Sequence, residues 1–218
     1  MMNGTIGIIG GTGPAGRGVA VRLAKAGYAV SIGSRDAARA GEVVGAMAIP
    51  TQGSIRGVAN DEAATADVVI VATPWDSAVA TVKALGEHLA DKVVISMVNA
   101  LVREGRELVP VYPPRGSMAA QLASTLPSSR IVGAFHHLPA AQMEDLESGL
   151  DADVVIFGDD APARELVAGL VNEMPGLRSV IAGSMSLASA VEAFTAVCVS
   201  INIRHKAHSY VKLEGLSD

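Results

Sequence analysis

Cysteine occurs once in the 218 residues, at Cys198. This excludes a disulfide framework within the chain and a cysteine-based zinc module. Aromatic residues are scarce at 3%, so a flat ligand would rest largely on aliphatic side chains. Positive charge is scarce too: 17 Lys and Arg stand against 22 Asp and Glu, a net charge of −5, and no basic block breaks the pattern. That balance argues against a nucleic-acid partner. No uninterrupted apolar run approaches the roughly 18 residues of a spanning helix. The first apolar stretch, Thr5–Ile9, has no basic segment before it and ends at once in glycines, the pattern of a strand rather than a signal peptide. Together these absences lead us to expect a cytoplasmic protein with no membrane partner.

What is present is apolar content, at 50%, in a particular form. Short β-branched runs recur at Thr5–Ile9, Ala29–Ile32, Val68–Ala72, Val93–Ile95, Ile131–Phe135, Val154–Phe157 and Val180–Ala182. They are continuous rather than alternating, as in strands buried on both faces of a parallel sheet. Stretches of helical period separate them: Arg17–Ala26, Ser77–Leu89, Met118–Leu126 and Ala161–Met174. Strand–helix alternation predicts an α/β fold, a doubly wound, mostly parallel sheet. Met185–Leu213 departs from the rhythm, with Leu187, Val191, Phe194, Val197, Cys198, Ile201 and Arg204 near helical spacing. We read it as one long helix, whole or broken, over the sheet edge or a partner subunit. The chain then divides into a nucleotide-binding unit, 1–184, and a small C-terminal helical segment, 185–218. Val102–Gly116, with Pro110, Pro113 and Pro114, reads as a loop bordering the site.

Thr5–Gly10 runs into Gly11-Thr12-Gly13-Pro14-Ala15-Gly16 and then an apolar-periodic helix. Glycines in this spacing between a first strand and a first helix form a dinucleotide-binding turn of the Rossmann type. Gly11 is expected to permit the tight turn, Gly13 to let a pyrophosphate approach the backbone, and Gly16 to allow close helix–strand packing. The helix N-terminus offers unpaired N–H groups to phosphate. Pro14 costs nothing there, because its missing N–H would have no intrahelical partner.

The second strand ends in Gly33-Ser34-Arg35-Asp36. NAD sites carry an acidic residue about 20 residues past the glycines, whereas an Arg there accommodates a 2′-phosphate. Ser34 is 21 residues past Gly13 and uncharged. Arg35, joined by Arg39 one turn on, therefore points to NADP; the plainer reading makes Arg35 a solvated loop charge. Asp36 is placed to cap the next helix.

Other strand ends carry Thr73-Pro74-Trp75, Asn99 and His136-His137-Leu138-Pro139-Ala140. Thr73, Pro74 and Trp75 can wall a nicotinamide-side pocket, although Trp75 serves equally as a core anchor. Asn99 either bonds a carboxamide or ribose or caps its own loop. His136 and His137 suit acid–base work, but no third group is evidently placed to orient either ring, and no third ligand is spaced for a metal. Orientation of substrate or backbone is the expected role, with no catalytic acid or base assigned. Asp160, before Ala-Pro, reads as a helix cap.

The chain resembles the coenzyme F420-dependent NADP oxidoreductases. The residues that carry this are Ile8–Gly16, Gly33-Ser34-Arg35, Thr73-Pro74-Trp75, His136–Ala141, Gly158-Asp159-Asp160 and the tail Ile203-Arg204-His205-Lys206-Ala207-His208. The resemblance implies hydride transfer between NADP(H) and the 8-hydroxy-5-deazaflavin of coenzyme F420, and a homodimer. It implies NADP contacts at Thr12, Gly13, Pro14, Ala15, Ser34, Arg35, Arg39, Asn99 and Ala140. It also implies that His136–Ala140 and part of the C-terminal helix help hold the deazaflavin. Pro14-Ala15 replaces an Asn-Leu of some members, and Arg39 a Lys. Ring-to-ring transfer needs alignment rather than a protein acid, which suits a chain without a convincing proton carrier. Competing readings are an NADP-dependent imine or carbonyl reductase using His136 or His137, and a non-catalytic NADP sensor.

Overall fold

A computed structural model describes residues 4–216. One eight-stranded sheet organises them. Its strands are β1 (Thr5–Ile9), β2 (Ala29–Ser34), β3 (Ser54–Ala59), β4 (Val68–Val71), β5 (Val93–Ser96), β8 (Arg130–Gly133), β9 (Ala152–Gly158) and β10 (Leu177–Gly183), and its order is β10-β9-β8-β5-β4-β1-β2-β3. The run from β3 to β8 is parallel; β9 lies antiparallel to β8, and β10 parallel to β9. The expected mostly parallel, doubly wound Rossmann sheet is therefore present.

The central strands form from side chains that, Ser96 apart, are apolar. Every residue of β4, Val-Val-Ile-Val, and of β5, Val-Val-Ile-Ser, is buried. Each sheet face carries its own apolar cluster, one including Ile6, Ile8, Leu23 and Ile70, the other Ile9, Val69, Leu89 and Leu122. Covering them are α1 (Pro14–Lys25), α2 (Ala37–Gly45), α3 (Asn60–Ala64), α4 (Trp75–Ala84), α5 (Gly86–Leu89), α6 (Met118–Thr125), α7 (Ala140–Glu144), α8 (Ala161–Glu173) and α9 (Ala188–His205).

Three expectations need correction. β3 went unread: it is an edge strand in which Ile55 and Val58 are the buried residues, and Gly57 interrupts its apolar residues. Val102–Gly116 is not one loop. It begins within a hairpin, β6 (Leu101–Glu104) and β7 (Glu107–Pro110), paired antiparallel around Gly105. The C-terminal helix stops at His205 rather than Leu213, where Lys206 turns left-handed at φ 51°.

By length and composition Met185–His205 is apolar enough to cross a membrane, which reading uninterrupted runs alone did not show. Here it is built into the fold. The Thr195 hydroxyl donates to Asn99 Oδ1 at 3.0 Å, and the Glu192 carboxylate accepts the Met118 and Ala119 N–H groups at 2.7 and 2.8 Å.

Candidate functional site

Because β1, β2, β4, β5 and β8 are parallel, their carboxyl ends share one edge. The chain winds from β1 through β2 to β3 on one side and restarts at β4 on the other, so a crevice opens between β1 and β4. The glycine turn sits there. Gly10, at φ 68°, makes the left-handed turn that was expected of Gly11, and a Cβ on it would lie 2.5 Å from Thr73 Cγ2 at the end of β4. The Gly10 N–H donates to Asn60 Oδ1 at 3.0 Å, and the Gly11 N–H to the Gly33 carbonyl at 3.1 Å. Asn60 was missed because the strand before it was missed.

The other two glycines differ in their surroundings. A Cβ at Gly16 would stand 2.6 Å from the Gly11 Cα and carbonyl oxygen, so the third glycine lets α1 close on its own turn. A Cβ at Gly13 would meet nothing within 4 Å. Gly13, Pro14 and Ala15 are exposed at the α1 N-terminus, where no side chain caps the helix. Open backbone N–H groups beside a glycine form a cradle for an anion. Arg17 braces this turn, donating to the Thr12 carbonyl at 3.0 Å and to Glu144 on α7 at 2.6 Å. Arg22, 2% exposed, ties α1 to the Gln142 and Pro175 carbonyls, both at 2.6 Å.

The Gly11–Gly33 bond places Ser34 and Arg35 beside the turn. Ser34 Oγ accepts the Asp36 N–H at 3.2 Å, leaving its own hydroxyl hydrogen free to donate. Asp36 caps α2 through the Ala38 N–H at 2.9 Å, as expected. Arg35 and Arg39 are exposed; the Arg39 backbone N–H donates to Asp36 Oδ1 at 3.3 Å, and neither guanidinium makes a hydrogen bond or ion pair among the described residues. Their charges are available to a ligand.

Across the crevice, Pro74 precedes α4 and Trp75 opens it, half-buried against the Val69–Leu122 cluster. Thr73 is buried, and its Oγ1 has no partner in the protein. The Asn99 amide donates to the His136 carbonyl at 3.3 Å while its oxygen accepts from Thr195. Asn99 thus joins the ends of β5 and β8 to α9, with one amide hydrogen to spare.

Burial disfavours the charged form of both histidines. His136 is buried, stacks on Phe157 with ring centroids 5.4 Å apart, and has no partner on either nitrogen. Burial pushes its pKa down to about 3, and the neighbouring His137 adds to the effect. His137 Nε2 lies 2.7 Å from the Val191 carbonyl, which can only accept, so the proton is on Nε2. Burial lowers its pKa too, opposed by that bond. Leu138 and Pro139 lead into α7, which begins at Ala140 and packs on α1: a Cβ at Gly18 would lie 2.5 Å from Met143 Cβ. Asp159 and Asp160 are structural, bonding the Met185 and Ala163 N–H groups at 2.9 and 2.7 Å. Among the described residues no group of His, Cys, Asp and Glu could hold a metal ion.

A doubly wound sheet whose first turn presents an uncapped helix N-terminus at the switch point defines a protein of the dinucleotide-binding class. Comparison with known proteins narrows this. Residues 5–100 match the family model described as NADP oxidoreductase coenzyme F420-dependent. The F420-dependent NADP reductase of Methanocaldococcus jannaschii is 34% identical over 93% of this chain and 94% of its own length. That of Methanothermobacter thermautotrophicus is 30% identical over 94% and 91%. The chain belongs to the family of F420-dependent NADP reductases. A solved structure from Arthrobacter sp. FB24, a candidate F420-dependent NADP reductase, superposes with a TM-score of 0.77 at 24% identity over 95% of this chain and 97% of its own. An imine reductase from Bacillus cereus shares the fold at 18% identity and a TM-score of 0.63, covering 90% of this chain and 60% of its own.

Proposed function

We propose that this protein is an NADPH:coenzyme F420 oxidoreductase that moves a hydride directly between the two rings without a protein acid or base. The carrying observation is a pairing. An open anion cradle lies at Gly13, and the adjacent His136 and His137 at the end of β8 are buried, which disfavours their charged forms. When both molecules are bound, the nicotinamide supplies a hydride from C4 to C5 of the deazaflavin, and a solvent proton completes the reduced ring.

The residues of this chain would bind and align. Gly11, Thr12, Gly13, Pro14, Ala15 and Gly16 receive the pyrophosphate. Ser34, Arg35 and Arg39 read the 2′-phosphate; the free hydroxyl hydrogen of Ser34 and the two unengaged guanidinium groups support this. Thr73, Pro74 and Trp75 wall the nicotinamide side, where the unpartnered Thr73 Oγ1 can reach a ligand. Asn99 keeps one donor for the ribose or carboxamide. His136, His137, Leu138, Pro139 and Ala140, held to α9 through the Val191 carbonyl, bound the deazaflavin.

We read residues 1–184 as the NADP-binding unit and 185–218 as a segment giving site and dimer contacts. The working form is a cytoplasmic homodimer, with exposed Ile181 on the outer edge strand β10 and exposed Leu187 just before α9 as apolar contacts. The imine-reductase reading needs a protonated His136 or His137, which burial disfavours.

The test mixes pure protein with NADPH and oxidised F420 and follows the deazaflavin's visible absorbance. Bleaching, with deuterium passing from C4 of labelled NADPH to C5 of the product, is expected. No absorbance change at any pH from 5 to 9 refutes the activity, and loss of the label to water refutes direct transfer.

A further inference from the structure

Asn60 opens α3 at the carboxyl end of β3, and the hydride-transfer reading gives it no task. Glycines make room for it. A Cβ at Gly7 of β1 would stand 1.8 Å from the Ala63 carbonyl oxygen, and one at Gly33 of β2 would stand 2.7 Å from Asn60 Oδ1 and 2.9 Å from Ala63 Cβ. Either methyl would push α3 off the sheet, because a packed contact has no space for it. Ala63 and Ala64 are fully buried in this contact.

So seated, the half-buried Asn60 meets the start of the phosphate turn. Its Oδ1 accepts the Gly10 N–H at 3.0 Å, at the residue whose left-handed φ of 68° makes the turn. This is the one hydrogen bond of the Asn60 side chain among the described residues. The next amide, that of Gly11, donates to the Gly33 carbonyl at 3.1 Å. The two bonds, with the contact of Gly33 on Asn60, tie the turn after β1, the end of β2 and the start of α3 into one knot. Gly13 lies three residues beyond Gly10, and Ser34 follows Gly33. The knot therefore sets the spacing between the cradle at Gly13 and the pocket at Ser34 and Arg35.

We infer that Asn60 is a positioning residue for NADP, holding the pyrophosphate cradle in register with the 2′-phosphate pocket through the Gly10 amide. The inference rests on the NADP contacts proposed above. A ligand with two anionic groups gains from both only where their sites are correctly spaced, because the second contact then forms at high effective concentration. Asparagine suits the task. Its amide oxygen accepts the Gly10 N–H without bringing a negative charge toward a phosphate site, as aspartate would.

The test uses Asn60→Ala and Asn60→Asp. Amide hydrogen exchange at Gly10, followed by NMR, reads the bond itself. Titrations with NADPH and with adenosine 2′-phosphate, which has the 2′-phosphate but no pyrophosphate, read its consequence. Asn60→Ala is expected to lose about tenfold in Gly10 protection and about tenfold in NADPH affinity, since it leaves that N–H without its acceptor. Its Kd for adenosine 2′-phosphate should stay within about twofold of the parent's, because a single anchor does not depend on the spacing. Asn60→Asp keeps an accepting oxygen and retains the Gly10 protection. Asn60→Ala protein that binds NADPH as the parent does overturns the inference. Equal losses for NADPH and adenosine 2′-phosphate also overturn it, since a general loosening of the fold would weaken both. Unchanged Gly10 protection in Asn60→Ala, or the same loss in Asn60→Asp, overturns the bond as the means. Parent protein with no affinity for adenosine 2′-phosphate sinks the 2′-phosphate reading at Arg35 and the inference with it, an outcome distinct from failure at Asn60 alone.

Discussion

Two glycines three residues apart give opposite predictions, and the contrast tests the phosphate cradle. At Gly13 the backbone is at φ −75° and ψ 165°, which alanine adopts freely, and the added methyl would meet no atom within 4 Å. Two small effects on stability oppose each other. Losing glycine's freedom in the unfolded chain favours the Gly13→Ala protein by about 0.4–1 kcal/mol. Alanine is a poorer residue than glycine at a helix N-cap, by a similar amount. At roughly 2–4 °C per kcal/mol for a chain of this size, the melting temperature should move by no more than about 3 °C. The methyl would, however, occupy the space over the α1 N-terminus. Phosphate oxygens held off by its radius leave hydrogen-bonding range, and NADPH affinity should fall by about 100-fold or more, roughly 2.7 kcal/mol.

Gly16→Ala should do the reverse. Its methyl would lie 2.6 Å from the Gly11 backbone, which cannot swing aside as a side chain would. Overpacking of this kind costs about 1–3 kcal/mol, a melting loss of about 2–12 °C. Differential scanning calorimetry and a fluorescence titration with NADPH measure both quantities on each variant. A Gly13→Ala protein binding NADPH within threefold of the parent would refute placement of the pyrophosphate over Gly13. A Gly16→Ala protein that melts with the parent would refute the packing role.

Arg35→Ala should weaken NADPH by about 10–100-fold and NADH by less than threefold, because only the former presents a phosphate to the guanidinium; equal losses by titration would show that Arg35 does not read it. With His136 at about 3 and His137 lowered as well, the single-turnover hydride step should be flat from pH 6 to 8. His136→Gln should slow it less than tenfold by stopped flow, whereas general acid–base catalysis is worth about 10²–10⁴ and a loss on that scale would restore a proton-donating role. Glu192 has its pKa raised by burial to about 7 against an ordinary 4.5, the Met118 and Ala119 N–H bonds opposing. The folded state therefore holds this proton more tightly, and the stability it confers is present below about pH 4.5 and lost as pH rises through 7. The melting temperature of Glu192→Gln minus that of the parent should accordingly climb between pH 5 and 8, and a constant difference would place Glu192 outside that titration.

What sequence could show follows from where each residue's partners lie. The strands from β1 to β8 that the continuous β-branched runs marked are buried on both faces, so the run itself is the signal. β3 exposes Ser54 and Arg56 and carries Gly57, against which the α2 backbone packs; an edge strand of this kind has no run to find. The β6–β7 hairpin hid behind Pro110, which sits at a strand end, where it is tolerated. Gly13, Gly16, Ser34 and Arg35 can be proposed from sequence because dinucleotide chemistry demands those residue types at nearly fixed spacing. Asn60, Arg22 and Glu192 cannot, since each acts on backbone groups that only the tertiary fold brings near. Asn60 is 50 residues from the amide it holds, and Glu192 is 74 from Met118 and 73 from Ala119. Asn99 and His137 were legible as positions but not as partners, because α9 supplies the other half of each bond.

The course of the chain explains how α9 reaches these strand ends. The reversal of direction at β9 carries the chain past β10 and then, through α9, back across the ends of β5 and β8. The first half of α9 faces inward with bonding groups: the Val191 carbonyl on His137, Glu192 on α6, and Thr195 on Asn99. The second half faces outward with Val197, Ile201 and Arg204 along a groove beside the β6–β7 hairpin. One helix without a local motif thereby fixes the strand-end loops at one end and displays a separate surface at the other. Substitutions beyond Val197 therefore leave every one of those inward bonds in place.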